Sequence, residues 1–290
     1  WAKSRSPLTW IENINKLNKP VYLSNNFGDN LFQPNNILKY FNKLKVPKIL
    51  DLNQGTHATG EISGLFTVNN YTYKRMHNWF DSWLKDDLSI DLNLNEITMQ
   101  TDFKHKRIEI SEQELLFARE VELNLTARNF LRNGKLVTGE ADKREDVDIL
   151  YTGFDTRATT GIPILSSILD GHFKVPVYNA IPWIQRLNGI YYQSKPFKNN
   201  LLLRGIPKLQ LTTTSSEKHY QLVAYLYDVN RFGLAKLITH GVATKLNKKT
   251  NSLDEFDLEL VATAYDLPRG DSLMLAIDTE DILYARPQHY

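Results

Sequence analysis

The sequence predicts two domains of different class, an α/β segment followed by an all-β sandwich. Three observations predict it. From Lys19 to Gly55, a short apolar run, an amphipathic stretch and a second apolar run follow one another. From about Tyr71 to Lys85 the aromatic residues fall at helical spacing. After about Asp87 the texture changes to short alternating runs broken by Gly, Pro, Asn and Asp, with no long helical stripe. The boundary is therefore set at 88/89, giving an α/β part over 1–88 and a sandwich over 89–290.

The chain has 290 residues, enough for two domains at roughly 100–200 residues each. Apolar residues make up 42% and charged residues 23%, ordinary for a soluble globular protein. The net charge of +2 is spread without a basic stripe, so a nucleic-acid partner is not expected. No apolar run reaches transmembrane length, so no membrane partner is expected either. With no cysteine, disulfides, thiolate catalysis and Cys-ligated zinc are excluded. The chain opens "WAKSRSPLTW", with neither Met nor a signal peptide, and reads as the middle of a longer polypeptide. The compartment, cytoplasmic or exported, stays open for the same reason.

"KPVYLSN" (Lys19 to Asn25) is a short apolar run bounded by Pro and by Asn and Gly, a buried strand. Pro34 suits the first turn of a helix, where its missing N–H is unpaired anyway. Ile37, Phe41 and Leu44, with Leu38 and Tyr40 beside them, form its apolar stripe, and Pro47 ends it. "KILDLNQG" follows as a second strand, completing the unit that makes a parallel sheet with a right-handed crossover. In the helix from Tyr71, the residues Tyr73, Met76, Phe80 and Trp83 share a face, widened by Trp79 and Leu84. In the sandwich region, "EFDLELVATA" alternates Phe256, Leu258, Leu260 and Ala262 with charged or small partners, the period of a half-buried strand.

Open parallel sheets place their ligands at the carboxyl ends of the strands. Asp29, in a Gly-Asp-Asn turn, follows the first strand; His57, in a Gly-Thr-His loop, follows the second. A carboxylate at that place accepts the imidazole Nδ1–H and leaves Nε2 to take a proton from a nucleophile. Either residue alone is an ordinary turn or loop residue. The two together, in the order acid before histidine, are the later members of a triad in which serine comes first. No Gly-x-Ser-x-Gly elbow exists in the chain; "GEISG" (Gly60 to Gly64) puts Ser63 directly before Gly64 and follows the histidine.

The acid turn "SNNFGDNLF", the histidine loop "LNQGTHATGE", the helix "MHNWFDSWLKDD" and the runs "LLLRGIPKLQL", "AYLYDVNRFGLAKLITHG" and "AYDLPRGDSLMLAID" together resemble the later part of the X-Pro dipeptidyl-peptidase/cocaine-esterase-like serine hydrolases. The resemblance is weakest from Asp91 to about Ala180. It implies that 1–88 is the C-terminal portion of an α/β-hydrolase domain and 89–290 a jelly-roll β-sandwich. It implies a triad acid at Asp29 and a general base at His57; no cofactor and no metal are expected. It further implies a partner: an upstream segment carrying the nucleophilic serine, from the same gene and either continuous with this chain or separate from it. The substrate would be a small ester, amide or peptide, in the manner of a dipeptidyl-peptidase, acylase or esterase. This chain alone would be inactive; a homo-oligomer is compatible with the sequence.

The other histidines, His77, His105, His172, His219, His240 and His289, show no spacing typical of a metal motif. His77 reads as solvent-facing and His240, in "ITHG", as a strand end. Asp81 reads as a clamp to backbone or arginine, and Asp86-Asp87, Lys248-Lys249 and "ADKRED" (141–146) as solvated loops. Trp183, Tyr191 and Tyr192 read as packing residues. A rival expectation is a non-catalytic β-sandwich that binds carbohydrate or a protein, with the α/β piece as a vestige.

Overall fold

The computed structural model describes residues 2–57, 59–62, 70–85, 89–102, 104–111, 114, 119–126, 128, 133–139, 147–152, 156, 158–163, 165–180 and 188–286. Trp1, Ser63, Gly64, Asp86, Asp87, the 141–146 run, Trp183 and His289 lie outside the described residues. The chain is mostly β with few helices, and it divides into two compact units. One comprises Trp1–Arg119 with Gly171–Lys174, the other Glu120–Asp170 with Val175–Tyr290.

The first unit begins with α1 (Ala2–Arg5), a 3-10 turn and α2 (Ile11–Leu17). Strand β1 (Val21–Asn26), helix α3 (Pro34–Lys43) and strand β2 (Lys48–Asn53) come next. β1 and β2 pair in parallel, from Val21 opposite Lys48 to Asn26 opposite Asn53. Pro34 opens α3 at its first position, as its locked φ and missing N–H favour. The helix stops at Lys43, before Pro47, because Leu44 already has an extended backbone. Lys48 is buried, yet its ammonium donates to the carbonyls of Phe41 (3.0 Å) and Leu44 (2.8 Å) at the helix end. A cation is favoured there because those carbonyls have no partners within the helix.

β2 is buried along its whole length, as expected of a parallel strand covered on both faces. Ile49, Leu50 and Leu52 fill the core with Phe41, Ile97 and Met99. After the short α4 (Thr59–Ile62) comes α5 (Tyr71–Leu84), whose Asn70 cap accepts from the Tyr73 N–H at 3.2 Å. α5 buries Thr72 and Trp79, and Trp79 clusters with Ile49 and Leu92. Phe80, Trp83 and Leu84 remain exposed. Of the expected aromatic side, Trp79 packs, against Tyr22 (ring centroids 6.1 Å apart), whereas Phe80, Trp83 and Leu84 do not.

Two further strands extend this sheet. β3 (Glu96–Gln100) pairs in parallel with β2, and β4 (Arg107–Ser111) pairs antiparallel with β3, giving the order β1-β2-β3-β4. Compositional texture puts the boundary at 88/89, but the contacts put it after Arg119. The change at Asp87 marks the end of the last long helix of the unit; the hydrogen-bonded sheet continues past it.

The second unit contains a seven-stranded sheet in the order β5-β6-β8-β15-β11-β12-β7. Its strands are β5 (Asn124–Thr126), β6 (Gly134–Val137), β7 (Tyr178–Ala180), β8 (Ile190–Ser194), β11 (Tyr220–Val229), β12 (Leu234–Lys245) and β15 (Ser272–Asp278). Two antiparallel pairs, β9 (Leu201–Gly205) with β14 (Thr263–Leu267) and β10 (Lys208–Thr213) with β13 (Asp254–Glu259), share its core. Leu222, Ala224, Leu273 and Leu275 of the large sheet meet Leu209, Phe256, Leu258 and Leu267 of the pairs, two layers over one apolar interior. β11 is buried on both faces: Leu222 and Ala224 join that interior, while Val223, Tyr225 and Tyr227 join a second cluster with Ala158 and Met274. One helix, α6 (Leu165–Phe173), occurs where the sequence pattern suggests only strands.

Gly241 of β12 lies where β13 crosses closely. A Cβ there would meet the Glu259 carbonyl oxygen at 2.7 Å and the Leu260 Cα at 2.8 Å, both backbone atoms that cannot turn aside. Gly241→Ala is expected to destabilise the fold by about 1–3 kcal/mol, read as a lower denaturant midpoint in urea unfolding. An unchanged midpoint would show that the two strands separate at no cost.

Asp278 is fully buried at the end of β15, where it accepts from the Thr156 hydroxyl and from the Thr279 N–H at 2.6 Å. Burial pushes its carboxyl up to about 6, against the hydrogen bonds that lower it. Folded protein therefore holds this proton more tightly than the unfolded chain does. The resulting stabilisation is complete below the ordinary value of 3.8 and is lost as pH rises to about 6. Its size is on the order of 3 kcal/mol. Asp278→Asn, which keeps one accepting oxygen, is expected to flatten this part of the stability–pH curve. An identical slope between pH 4 and 6 in the variant would exclude Asp278 as its source.

Candidate active site

The backbone brings Asp29 and His57 together before their side chains do. Beyond the last paired residues of β1 and β2, the Phe27 N–H donates to the Asn53 carbonyl and the Gly28 N–H to the Gly55 carbonyl, both at 2.9 Å. The parallel ladder thus continues into the loops. The Asp29 N–H closes a turn onto the Asn26 carbonyl at 3.1 Å. Asp29 Oδ1 accepts from the N–H groups of Leu31 and Phe32, both at 2.9 Å. This is a local side-chain-to-backbone turn of the kind Asp forms readily, and it aims the second oxygen, Oδ2, across at His57.

Oδ2 lies 2.9 Å from His57 Nδ1. A carboxylate has no proton to give, so Nδ1 carries the hydrogen and Nε2 presents its lone pair. Nε2 makes no hydrogen bond to the described residues. Asp29 is 5% exposed whereas the His57 side chain is 46% exposed, so the acid is sheltered and the base is open. The Phe32 ring, itself exposed, lies against the imidazole with centroids 5.4 Å apart.

The histidine loop is held at both ends. Gln54 and Gln100 clasp each other: the Gln54 N–H donates to the Gln100 side-chain oxygen, and the Gln54 amide donates to the Gln100 carbonyl, each at 2.9 Å. Gly55 turns at φ +130, a conformation rarely adopted by residues with a side chain. The Thr56 N–H donates to Thr59 Oγ1 (2.9 Å), and the Asn26 amide donates to the Thr56 carbonyl (3.0 Å), tying the loop back to β1.

Beneath the loops lies a buried ionic pair. Asp51, fully buried in β2, accepts from the Tyr22 hydroxyl at 2.9 Å and faces Arg75 Nε at 3.5 Å. Burial, and then the Asp51 charge, push the Tyr22 phenol far up, so it stays a donor.

Among the other sequence candidates, His77 is exposed on α5, and Asp81 pairs with Lys85 at 2.6 Å, not with an arginine. His240 is not a strand end: it sits inside β12 opposite Tyr225, with Nδ1 2.5 Å from the Tyr284 hydroxyl. Burial pushes its pKa down to about 4, which keeps it neutral. Tyr191 and Tyr192 are buried packing residues, Tyr192 donating to Asp148 at 2.8 Å. Sequence reasoning missed Asn26, Gln54, Thr59 and Gln100, the residues that hold the loop. Gln54 and Gln100 lie 46 positions apart, and no local pattern links them. Among the described residues, no group of three or more His, Asp or Glu is arranged to hold a metal.

Residues 169–289 match the X-Pro dipeptidyl-peptidase C-terminal non-catalytic domain. The match covers fewer than half of the 290 residues. Asp29 and His57 lie outside it. No curated protein matches the chain. Among solved structures, an aminopeptidase from a marine sediment Thaumarchaeota archaeon superposes with a TM-score of 0.63 at 15% identity, over 92% of this chain and 48% of its own. A CocE/NonD family hydrolase from Staphylococcus aureus gives 0.61 at 12% identity, over 94% and 49%. An α-amino acid ester hydrolase gives 0.59 at 13%, over 90% and 48%. The chain thus spans about half the length of the structures it matches. The domain match concerns 169–289, and the likeness to these structures is one of fold. These relatives are hydrolases.

Proposed function

We propose that Asp29 and His57 are the acid and the general base of a Ser-His-Asp triad. On this reading the first unit is a portion of an α/β-hydrolase domain, the second unit is a jelly roll, and the nucleophilic serine lies outside these 290 residues. The observation that carries it is the 2.9 Å contact from His57 Nδ1 to Asp29 Oδ2 at the carboxyl ends of two adjacent parallel strands, with Nε2 open. The serine hydroxyl passes its proton to Nε2 as it attacks an ester or amide carbonyl. Asp29 holds the tautomer and stabilises the imidazolium. The imidazolium then protonates the leaving alcohol or amine, and water, activated by the same nitrogen, releases the acyl group.

The substrate class is esters and amides or peptides, of dipeptidyl-peptidase, acylase or esterase type, as the hydrolase relatives suggest. The partner is the serine-bearing segment. A direct test assays this chain alone, and joined to that segment, on aryl esters and aminoacyl-prolyl anilides. Activity is expected only when the segment is present, together with labelling of its serine by a fluorophosphonate. Failure of the joined protein to hydrolyse any of them would refute the triad.

A second reading draws on the description of the 169–289 domain as non-catalytic. Here the sandwich binds carbohydrate or a protein, and the α/β portion is vestigial. Binding in a glycan screen combined with no hydrolysis by the joined protein would favour it.

A further inference from the structure

We propose that the polar cavity of the first unit bounded by Arg107, His105, Asn53, Gln100 and Tyr71 is a binding site for a small oxyanion, a carboxylate or a phosphate. The cavity holds about 220 Å³, below the roughly 300–1,000 Å³ of sites for drug-sized ligands. It therefore suits an ion or a single acidic group. No Asp or Glu lines it; its walls are amides, hydroxyls, a guanidinium and imidazoles.

The nearest carboxylates stand outside the lining and do not pair with its guanidinium. Asp51, the buried carboxylate of this sheet, is taken by Tyr22 and Arg75. Arg107 forms no ion pair among the described residues. Its Nη1 donates to the neutral Asn53 side-chain oxygen at 2.9 Å, and its guanidinium stacks on Tyr71, 3.3 Å from the ring centroid. A guanidinium has five N–H donors in a fixed fork, matched to two oxygens of one carboxylate or phosphate. Burial lowers the Arg107 pKa, more than Tyr71 and the Asp51 carboxylate, which acts from beyond ion-pair distance, raise it.

His105 gives independent support. It lines the same cavity, and its Nε2 is buried with no hydrogen-bond partner. A buried polar nitrogen left unpaired costs free energy, which an anion accepting from an Nε2–H would offset. Burial first, then the nearby Lys174, His172 and Arg107, lower the His105 pKa, with Asp102 opposing. Basic groups thus outnumber the one carboxylate acting on this ring. The start of α5, Asn70 to Thr72, faces the same cavity and adds the positive end of a helix.

Gln54 and Thr59 also line the cavity, and they flank the segment carrying His57. A bound anion would brace that loop from behind. His57 itself does not line the cavity, so binding is testable whether or not the triad reading holds.

The 290-residue chain is titrated calorimetrically with sodium acetate and, separately, with inorganic phosphate, each against sodium chloride at matched ionic strength. Saturable binding of at least one is expected, and the tighter of the two identifies the acidic group. Arg107→Met is expected to weaken it by about tenfold or more, with the far-UV dichroism unchanged. Should that variant fail to fold, His105→Asn provides the same comparison and is expected to weaken binding several-fold. No saturable heat above the chloride blank with either anion, or equal affinity in wild type and the folded variant, would overturn the proposal.

Discussion

Replacing His57 by alanine is expected to reduce hydrolysis by the complete, serine-bearing protein by about 10⁴-fold or more. The loss should fall on kcat, because the imidazole acts on the proton in flight and contributes little to holding the substrate. Asp29→Asn is the more informative partner experiment. It keeps the Oδ1 that accepts from Leu31 and Phe32, so the turn survives, while the carboxylate that fixes the His57 tautomer is gone. Its expected loss is also about 10⁴-fold. The two effects should not add, since both residues serve one proton transfer. Steady-state kinetics on an aryl ester and an aminoacyl-prolyl anilide check this. Undiminished turnover in either variant, with a native dichroism spectrum, would remove that residue from the mechanism.

Arg75→Met is expected to cost about 3–5 kcal/mol of stability in the first unit. Asp51 is fully buried and already has one oxygen, Oδ1, without a hydrogen bond. Removing the guanidinium that faces its other oxygen leaves a buried charge with the Tyr22 hydroxyl as its donor and Arg107, which forms no ion pair with it, as the remaining nearby cation. Breaking one side of a buried pair costs more than the pair itself is worth, because the surviving partner remains unsolvated. Asp51→Asn in the Arg75→Met background should therefore recover most of the loss. Urea unfolding followed by tryptophan fluorescence, with Trp79 as a core reporter, measures both steps. A single variant within about 1 kcal/mol of wild type, inside the ordinary surface range, would mean that Asp51 does not carry a stranded charge.

Both predictions rest on the strand–helix–strand unit, the most legible part of the sequence. Its signals are local: Pro34 at a helix start, apolar residues at helical spacing, and turn residues directly after each strand. The catalytic candidates were visible for the same reason, since a strand's carboxyl end can be located without knowing its neighbours. Helix α5 was visible as a helix, but which ring of its aromatic side is buried was not. Phe80 and Leu84 are as apolar as Trp79, and only the place of Tyr22 and Ile49 on the sheet decides which ring is buried. That the first sheet runs on past residue 88 was hidden for a related reason. Glu96–Gln100 alternates like any edge or sandwich strand, and its parallel pairing with β2 is a long-range choice. His240 looked like a strand end because Gly241 follows it, whereas that glycine is required by the close passage of β13.

The sequence by itself determined the types of β1, α3, β2 and α5, the placement of Asp29 and His57 after successive strands, and the predominantly β character of the rest. Those properties depend on residues near one another in the chain. Only the tertiary structure decided that Asp29 Oδ2 meets His57 Nδ1, that the Gln54–Gln100 clasp fixes the loop, and that Arg107 lines a cavity with no carboxylate in its walls. Each of these depends on which strands pair and in what register. Register is set by the burial of whole faces at once, information that no single stretch of the chain contains.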